Sequence, residues 1–154
     1  MSAKIKILIV EDEKPVAQMM EILLKRTGCD VLIAHTGKAG MELASEKKFD
    51  LIVLDIDLPD MNGFEICREI KQRHFSRQTP VVFVSGRHCE QDIGRSLKLG
   101  AVDYIMKPFR MEFAARLLSH VKTKTDSTVT LENAISKNPS HFVPAASKFF
   151  PIAA

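Results

Sequence analysis

Short apolar runs of four to six residues recur along the first 124 residues of the chain, separated by more polar segments. They are IKILIV at 5–10, VLIA at 31–34, LIVL at 51–54, VVFV at 81–84 and VDYIM at 102–106. The runs are rich in β-branched residues and almost continuous rather than alternating, which is typical of strands that a parallel sheet buries on both faces. The pattern therefore predicts five parallel strands, with the weakest signal at 31–34.

Between these runs, apolar residues recur at the three- and four-residue spacing of amphipathic helices. Local chemistry agrees, because Pro15 suits a first helical turn, Gly28 and Gly100 suit helix ends, and Asn62-Gly63 suits a turn. The strand starts near positions 5, 31, 51, 81 and 102 lie 20 to 30 residues apart, which leaves room for one crossover helix each. Five βα units joined by right-handed crossovers predict an open α/β sheet with helices on both faces.

Composition narrows the class of protein. A chain of 154 residues suits one compact domain with an appendage, and 27% charged residues argue against a membrane span. The N-terminal apolar run is too short for a signal peptide, so we expect a cytoplasmic protein. Three widely separated cysteines indicate reduced thiols rather than disulfides or a zinc site. The net charge of +3, from 22 basic and 19 acidic residues, is too small to predict nucleic-acid binding.

The composition changes after about Lys124. The last 30 residues carry two acidic and two basic side chains, and Pro139, Pro144 and Pro151 would break any long helix. A short helix near 130–137 fits the pattern. Two interpretations stay open for this segment: a flexible tail or linker cut from a longer chain, and a segment that docks on this domain, on a second copy or on a partner.

Polar side chains follow four of the predicted strands. Glu11 and Asp12 follow the first, Asp55 ends the third, Ser85 ends the fourth, and Lys107 follows the fifth. The carboxyl ends of parallel strands share one edge of a sheet, so we expect these groups to meet. Two carboxylates about 4 Å apart repel by on the order of 4 kcal/mol at an effective dielectric near 20. A hard divalent cation relieves that repulsion, so the pattern predicts a Mg²⁺-dependent phosphoryl site with an aspartate nucleophile.

Single acids at strand ends have a simpler interpretation. Most are helix N-caps, and Asp12 before Lys14-Pro15 fits that role. The joint occurrence of the acids, the hydroxyl and the lysine is what favours a site. The five histidines show no metal-ligand spacing, and the glycines form no phosphate-binding loop, so a nucleotide site is not predicted.

Residues 4 to about 123 closely resemble the receiver domain of two-component response regulators. The matching stretches are ILIVEDE at 7–13, LIVLDIDLPDMNGFE at 51–65, PVVFVSGR at 80–87 and GAVDYIMKPF at 100–109. The resemblance implies a flavodoxin-like (βα)5 sheet with strand order 2-1-3-4-5. It also implies a signalling phosphoacceptor rather than an enzyme, which uses Mg²⁺ or Mn²⁺ and receives its phosphoryl group from a histidine kinase or a histidine phosphotransfer protein.

The resemblance assigns roles at the acidic edge by position. Asp55 matches the phosphoacceptor, and Glu11 and Asp12 match the acidic pair that holds the metal. Asp57 matches the position whose backbone carbonyl usually contacts the metal, and Lys107 matches the lysine that contacts the phosphoryl group. Glu11 stands where an aspartate is frequent, which lengthens that arm by one methylene.

Further positions match the switch of the family. Ser85 matches the hydroxyl that binds the phosphoryl group, although threonine is commoner there, and Tyr104 matches the aromatic that turns inward on activation. A half-buried strand aromatic is the simpler interpretation of Tyr104. Asp57 and Arg87 each lie two residues past a site residue, where Arg87 would pair with Asp57 or with the phosphoryl group. We expect these two rim residues to set the lifetime of the aspartyl phosphate.

Rival functions start from the same residues. LIVLDIDLP also fits the nucleophile motif of haloacid-dehalogenase-like phosphatases, in which Asp57 would act as acid and base, but the metal-binding acids of that family follow the lysine. Output is expected through the surface of the fourth helix, fifth strand and fifth helix, toward an unknown downstream protein. A stand-alone receiver, a receiver truncated from a longer regulator, a monomer and a phosphorylation-dependent homodimer stay open. Direct DNA binding by this chain is not expected, since the 30 residues after Lys124 are too few for such a module.

Overall fold

Five strands and five helices alternate along the chain, and the computed structural model describes residues 3–73 and 76–121. The strands are β1 Lys6–Val10, β2 Asp30–Ala34, β3 Leu51–Asp55, β4 Val81–Ser85 and β5 Asp103–Met106. The helices are α1 Lys14–Lys25, α2 Gly37–Glu46, α3 Gly63–Gln72, α4 Glu90–Lys98 and α5 Phe113–Leu118. All strand pairs are parallel, and the order across the sheet is β2-β1-β3-β4-β5. The predicted fold class and strand order are confirmed.

The sheet has a core on each face, which explains why the apolar runs are continuous. The face covered by α2, α3 and α4 buries from the central strands Leu8, Val10, Ile52, Leu54, Val81 and Phe83. The face covered by α1 and α5 buries from the same strands Ile7, Ile9, Leu51, Val53, Val82 and Val84. Successive residues of a strand point to opposite faces, so a strand buried on both sides needs an apolar side chain at nearly every position. The edge strand β2 is only partly buried, which accounts for its weaker signal.

The helices start and end where the glycine and proline positions predict. Pro15 lies in the first turn of α1, and Gly28 and Gly100 both have φ near 88° just after α1 and α4. The left-handed region costs glycine little because it has no Cβ, so these two positions end their helices.

Within residues 3–73 and 76–121, no helix is both long and apolar enough to cross a bilayer. All three cysteines are free thiols, of which Cys29 and Cys67 are buried. The helix predicted near 130–137 and the proposed tail at 124–154 lie outside the described residues, so the domain boundary at about 123 stays a prediction.

Candidate metal centre

Three carboxylates converge at the carboxyl edge of the sheet. Glu11 and Asp12 directly follow β1, and Asp55 is the last residue of β3. One carboxylate oxygen from each lies within 4.8 Å of the others. Glu11 and Asp55 are almost wholly buried, and Asp12 is half-buried. The N-cap of α1 is Glu13 rather than Asp12, so the helix-cap interpretation of Asp12 does not hold.

Backbone geometry brings these acids together. Val10 pairs with Leu54 in the register of β1 and β3, so the residues that follow them are neighbours. The Glu11 N–H donates to the Ala34 carbonyl at 2.9 Å and anchors the end of β1 to β2. Gly63 packs so close to β3 that an added Cβ would lie 2.2 Å from the carbonyl oxygen of Asp55. Only glycine therefore allows the loop after β3 to return against the strand end.

Lys107 supplies a cation to this acidic cluster. Its Nζ lies 2.7 Å from Oε2 of Glu11, 3.4 Å from Oδ2 of Asp55 and 3.8 Å from Oε1 of Glu13. Its backbone N–H donates to the Ser85 carbonyl at 2.8 Å, which fixes the loop after β5 against the end of β4. One lysine thus faces several carboxylates, and the cluster keeps excess negative charge.

The pKa values of the cluster reflect burial first and the neighbouring charges second. Burial raises the pKa of Glu11 to about 7, opposed by the hydrogen bond from Lys107 and reinforced by the charge of Asp55. Burial also raises the pKa of Asp55 above its usual range, against the pull of Lys107. For Lys107, burial alone would lower the pKa, but contact with Glu11 and Asp55 outweighs it and raises the pKa. Three hard oxygen donors with unrelieved charge fit a Mg²⁺-type ion.

Ser85 and Tyr104 lie on β4 and β5, the two strands that follow β3 across the sheet. Ser85 is fully buried at the end of β4, and its Oγ accepts a hydrogen bond from the Arg87 N–H at 3.1 Å. Tyr104 is 5% exposed, so it is buried rather than half-buried, and its hydroxyl donates to the Arg87 carbonyl at 3.1 Å. Burial raises the pKa of Tyr104. The phenol therefore faces the loop that follows Ser85.

The two rim residues pair with each other. Arg87 donates from Nε to Oδ2 of Asp57 at 3.0 Å and from Nη2 to Oδ1 at 2.6 Å. This is the first of the two partners predicted for Arg87. Asp92, in the first turn of α4, places Oδ2 3.7 Å from Arg87 Nη1. Sequence reasoning did not single out Asp92, because an acid in a first helical turn is common.

The profile of the response regulator receiver domain family matches residues 7–122. Response regulator ArlR of Staphylococcus saprophyticus subsp. saprophyticus is 44% identical over 107 residues, which is 70% of this chain and 47% of that protein. The chain thus spans about half the length of this curated relative.

Solved structures agree with the fold. Chemotaxis protein CheY4 of Vibrio cholerae is 27% identical with a TM-score of 0.73, over 78% of this chain and 100% of that one. The receiver domain of sensor histidine kinase PA1611 from Pseudomonas aeruginosa is 30% identical with a TM-score of 0.69, over 77% and 98% of the two chains. That structure has a magnesium ion coordinated in its active site cleft.

Proposed function

The chain belongs to the response regulator receiver domain family, and from this premise we propose that it accepts a phosphoryl group on Asp55 in a reaction that needs a divalent cation. The observation that supports the proposal most strongly is the convergence of Glu11, Asp12 and Asp55 within 4.8 Å, with Lys107 against two of them. Such a protein is a signalling phosphoacceptor rather than an enzyme that turns over a substrate.

The chemistry is an in-line transfer to a carboxylate. An oxygen of Asp55 attacks the phosphorus of a phosphohistidine on a histidine kinase or phosphotransfer protein, forming a P–O bond. The P–N bond breaks, its electron pair stays on the imidazole nitrogen, and that nitrogen takes up a proton. Lys107 faces the phosphoryl group and offsets its charge, and the Ser85 hydroxyl hydrogen-bonds one of its oxygens.

Glu11, Asp12 and Asp55, with the backbone carbonyl of Asp57, are the groups that would hold Mg²⁺ or Mn²⁺. When bound, the ion supplies positive charge that offsets the charge shared by the acceptor carboxylate and the incoming phosphoryl group. The magnesium in the PA1611 receiver domain supports this choice of ion for a related site.

The phosphatase alternative receives no support from the order of the acids along the chain. The metal-binding acids of that family follow the lysine, whereas the acids that cluster with Asp55 are Glu11 and Asp12, which precede Lys107. We therefore retain the receiver function alone.

The output proposed is a change of the surface formed by α4, β5 and α5, presented to a downstream protein in the cytoplasm. Tyr104 is the residue on β5 that would carry the change, because its hydroxyl already contacts the loop between Ser85 and α4.

Incubation with acetyl phosphate tests the function. We expect intact-protein mass spectrometry to show one added phosphoryl group per chain with Mg²⁺ and none with a chelator. Asp12→Asn should abolish labelling, whereas Asp30→Asn, an exposed acid on the edge strand β2, should not. Equal labelling with and without the chelator would contradict the metal-dependent mechanism.

A further inference from the structure

Arg87 joins the two loops that border the acceptor. Its guanidinium spans from the β4–α4 loop to the β3–α3 loop, where it makes two hydrogen bonds to Asp57, at 3.0 and 2.6 Å. Asp57 N–H in turn donates to Oδ1 of Asp55 at 3.2 Å. Arg87 therefore binds Asp57, the residue whose backbone N–H contacts the acceptor carboxylate.

The backbone of Arg87 is connected to the switch residues. Its N–H donates to Oγ of Ser85 at 3.1 Å, and its carbonyl accepts from the hydroxyl of Tyr104 at 3.1 Å. One residue thus contacts the acceptor loop through its side chain and both switch residues through its main chain. If a displacement of the guanidinium moves the β4–α4 loop, it also moves the Arg87 carbonyl that Tyr104 contacts.

Arg87 can exchange its ion pair with Asp57 for a pair with another anion. Both side chains of the pair are 51% exposed, and solvent-exposed ion pairs contribute little to stability. Nη1 of Arg87 lies 3.7 Å from Oδ2 of Asp92, too far for a hydrogen bond. Within the described residues that buried Oδ2 has no hydrogen-bond partner. The pair with Asp57 therefore leaves Nη1 of Arg87 unused, and the carboxylate of Asp92 lies beside it.

A phosphoryl group on Asp55 would be a stronger partner than Asp57. It brings up to two negative charges and three acceptor oxygens, and a planar guanidinium binds such groups with two parallel hydrogen bonds. Lys107 approaches Asp55 from the loop after β5, whereas Arg87 lies on the β4–α4 loop, so the two cations would bind different oxygens of the phosphoryl group.

We propose that Arg87 is an exchangeable latch, which releases Asp57 when Asp55 is phosphorylated and binds the phosphoryl oxygens instead. The exchange carries the β4–α4 loop toward the acceptor and tightens the contact between its carbonyl and Tyr104. Asp57 is the competitor that holds the latch when the site is unmodified. The inference rests on the proposed function of Asp55.

Beryllofluoride, a stable phosphoryl mimic, tests the exchange in the full chain with Mg²⁺ present. Fluorine NMR measures the affinity, and intrinsic fluorescence reports on Tyr104 alone, because the chain has one tyrosine and no tryptophan. The variants are Asp57→Asn, Arg87→Ala and the double variant. Arg77→Ala, an exposed arginine that precedes β4 and so lies near the opposite edge, is the matched control.

We expect Arg87→Ala to bind beryllofluoride about tenfold more weakly than the wild type, as the loss of a charge-assisted hydrogen bond predicts. Asp57→Asn should bind more tightly, since the competitor is gone. The double variant should again be about tenfold weaker than Asp57→Asn, with a smaller change in Tyr104 fluorescence. Arg77→Ala should match the wild type.

The double variant separates the latch from a simpler role. If Arg87 only neutralises Asp57, removing both groups restores the affinity of Asp57→Asn, and equal affinities of these two variants would overturn the proposal. If the wild type itself does not bind beryllofluoride with Mg²⁺, the proposed function of Asp55 fails instead, and the latch fails with it.

Discussion

At the scale of single residues, Asp103 shows how a buried charge is made tolerable. It is fully buried in β5, and Arg116 donates to its two oxygens at 2.6 and 2.5 Å while His120 Nε2 lies 2.9 Å away. Burial alone would raise its pKa, but the hydrogen bonds from His120 and Arg116 outweigh burial and hold the pKa well below the usual range. The charged group thus ties β5 to α5 and the turn after it.

Asp103→Asn should lower the free energy of unfolding at pH 7 by about 3 kcal/mol, because it leaves Arg116 without its buried partner. An aspartate with a lowered pKa stabilises the fold above its ordinary pKa near 3.8 and loses that contribution as the pH falls further. The gap between wild type and variant should therefore narrow below about pH 4. Urea unfolding of both proteins at several pH values measures this difference in the free energy of unfolding.

Asp30→Asn is the control for that experiment. Asp30 is exposed, and its Oδ1 lies 3.8 Å from Nζ of Lys4, which is also exposed, so this substitution should change stability little at any pH. A gap for Asp103→Asn that stays constant from pH 7 to pH 3 would contradict the charged pairing.

At the scale of elements, all five strands were predictable, and some of their first residues were missed by one position. The runs at 51–54 and 81–84 are apolar because both faces are buried, so sequence alone located the starts of β3 and β4. β2 begins at Asp30, one residue before the predicted run, and β5 begins at Asp103, one residue after the start of its run. Asp30 enters β2 because its N–H donates to the Ile5 carbonyl at 2.8 Å, and Asp103 enters β5 because basic side chains pair with it.

Gly63 shows how one helix start positions the acceptor strand. We expect Gly63→Ala to destabilise the fold by about 1–3 kcal/mol, because the new Cβ would lie 2.2 Å from the Asp55 carbonyl oxygen and 2.7 Å from Ile56 Cα. It should also slow labelling from acetyl phosphate, since the backbone of Asp55 must shift.

Gly94→Ala is the matched control, because Gly94 lies inside α4 with nothing within 4 Å of an added Cβ. Replacing a helical glycine with alanine should raise stability by about 0.5–1 kcal/mol. Thermal melting and labelling rates measure both variants. Equal effects of the two substitutions would show that close packing at Gly63 does not constrain the acceptor.

At the scale of the whole molecule, parallel topology is what made the site predictable. Glu11, Asp55 and Lys107 are far apart in sequence, but each follows or ends a strand, and strand ends share one edge. The pairing of Arg87 with Asp57, and the position of Asp92 beside it, depend on how side chains turn in loops. No periodicity in the sequence encodes that direction, so sequence reasoning left two partners open for Arg87 and omitted Asp92.

The limits of the domain give a prediction at the same scale. Among the described residues, the two cores draw on side chains as far as Val121. We predict that a chain ending at residue 123 folds cooperatively and accepts a phosphoryl group as the full chain does. Circular dichroism melting and acetyl phosphate labelling of the two chains compare them. Loss of folding or labelling on truncation would mean that residues 124–154 are part of the domain.

If Asp55 carries the phosphoryl group, the modification must be found at that residue, and chemical reduction locates it. Borohydride reduces an aspartyl phosphate to homoserine, which peptide mass spectrometry assigns to a single position. After labelling with acetyl phosphate and Mg²⁺, we predict homoserine at position 55 alone and none in Asp55→Asn. Homoserine at Asp12 or Asp57, or undiminished labelling of Asp55→Asn, would contradict the account.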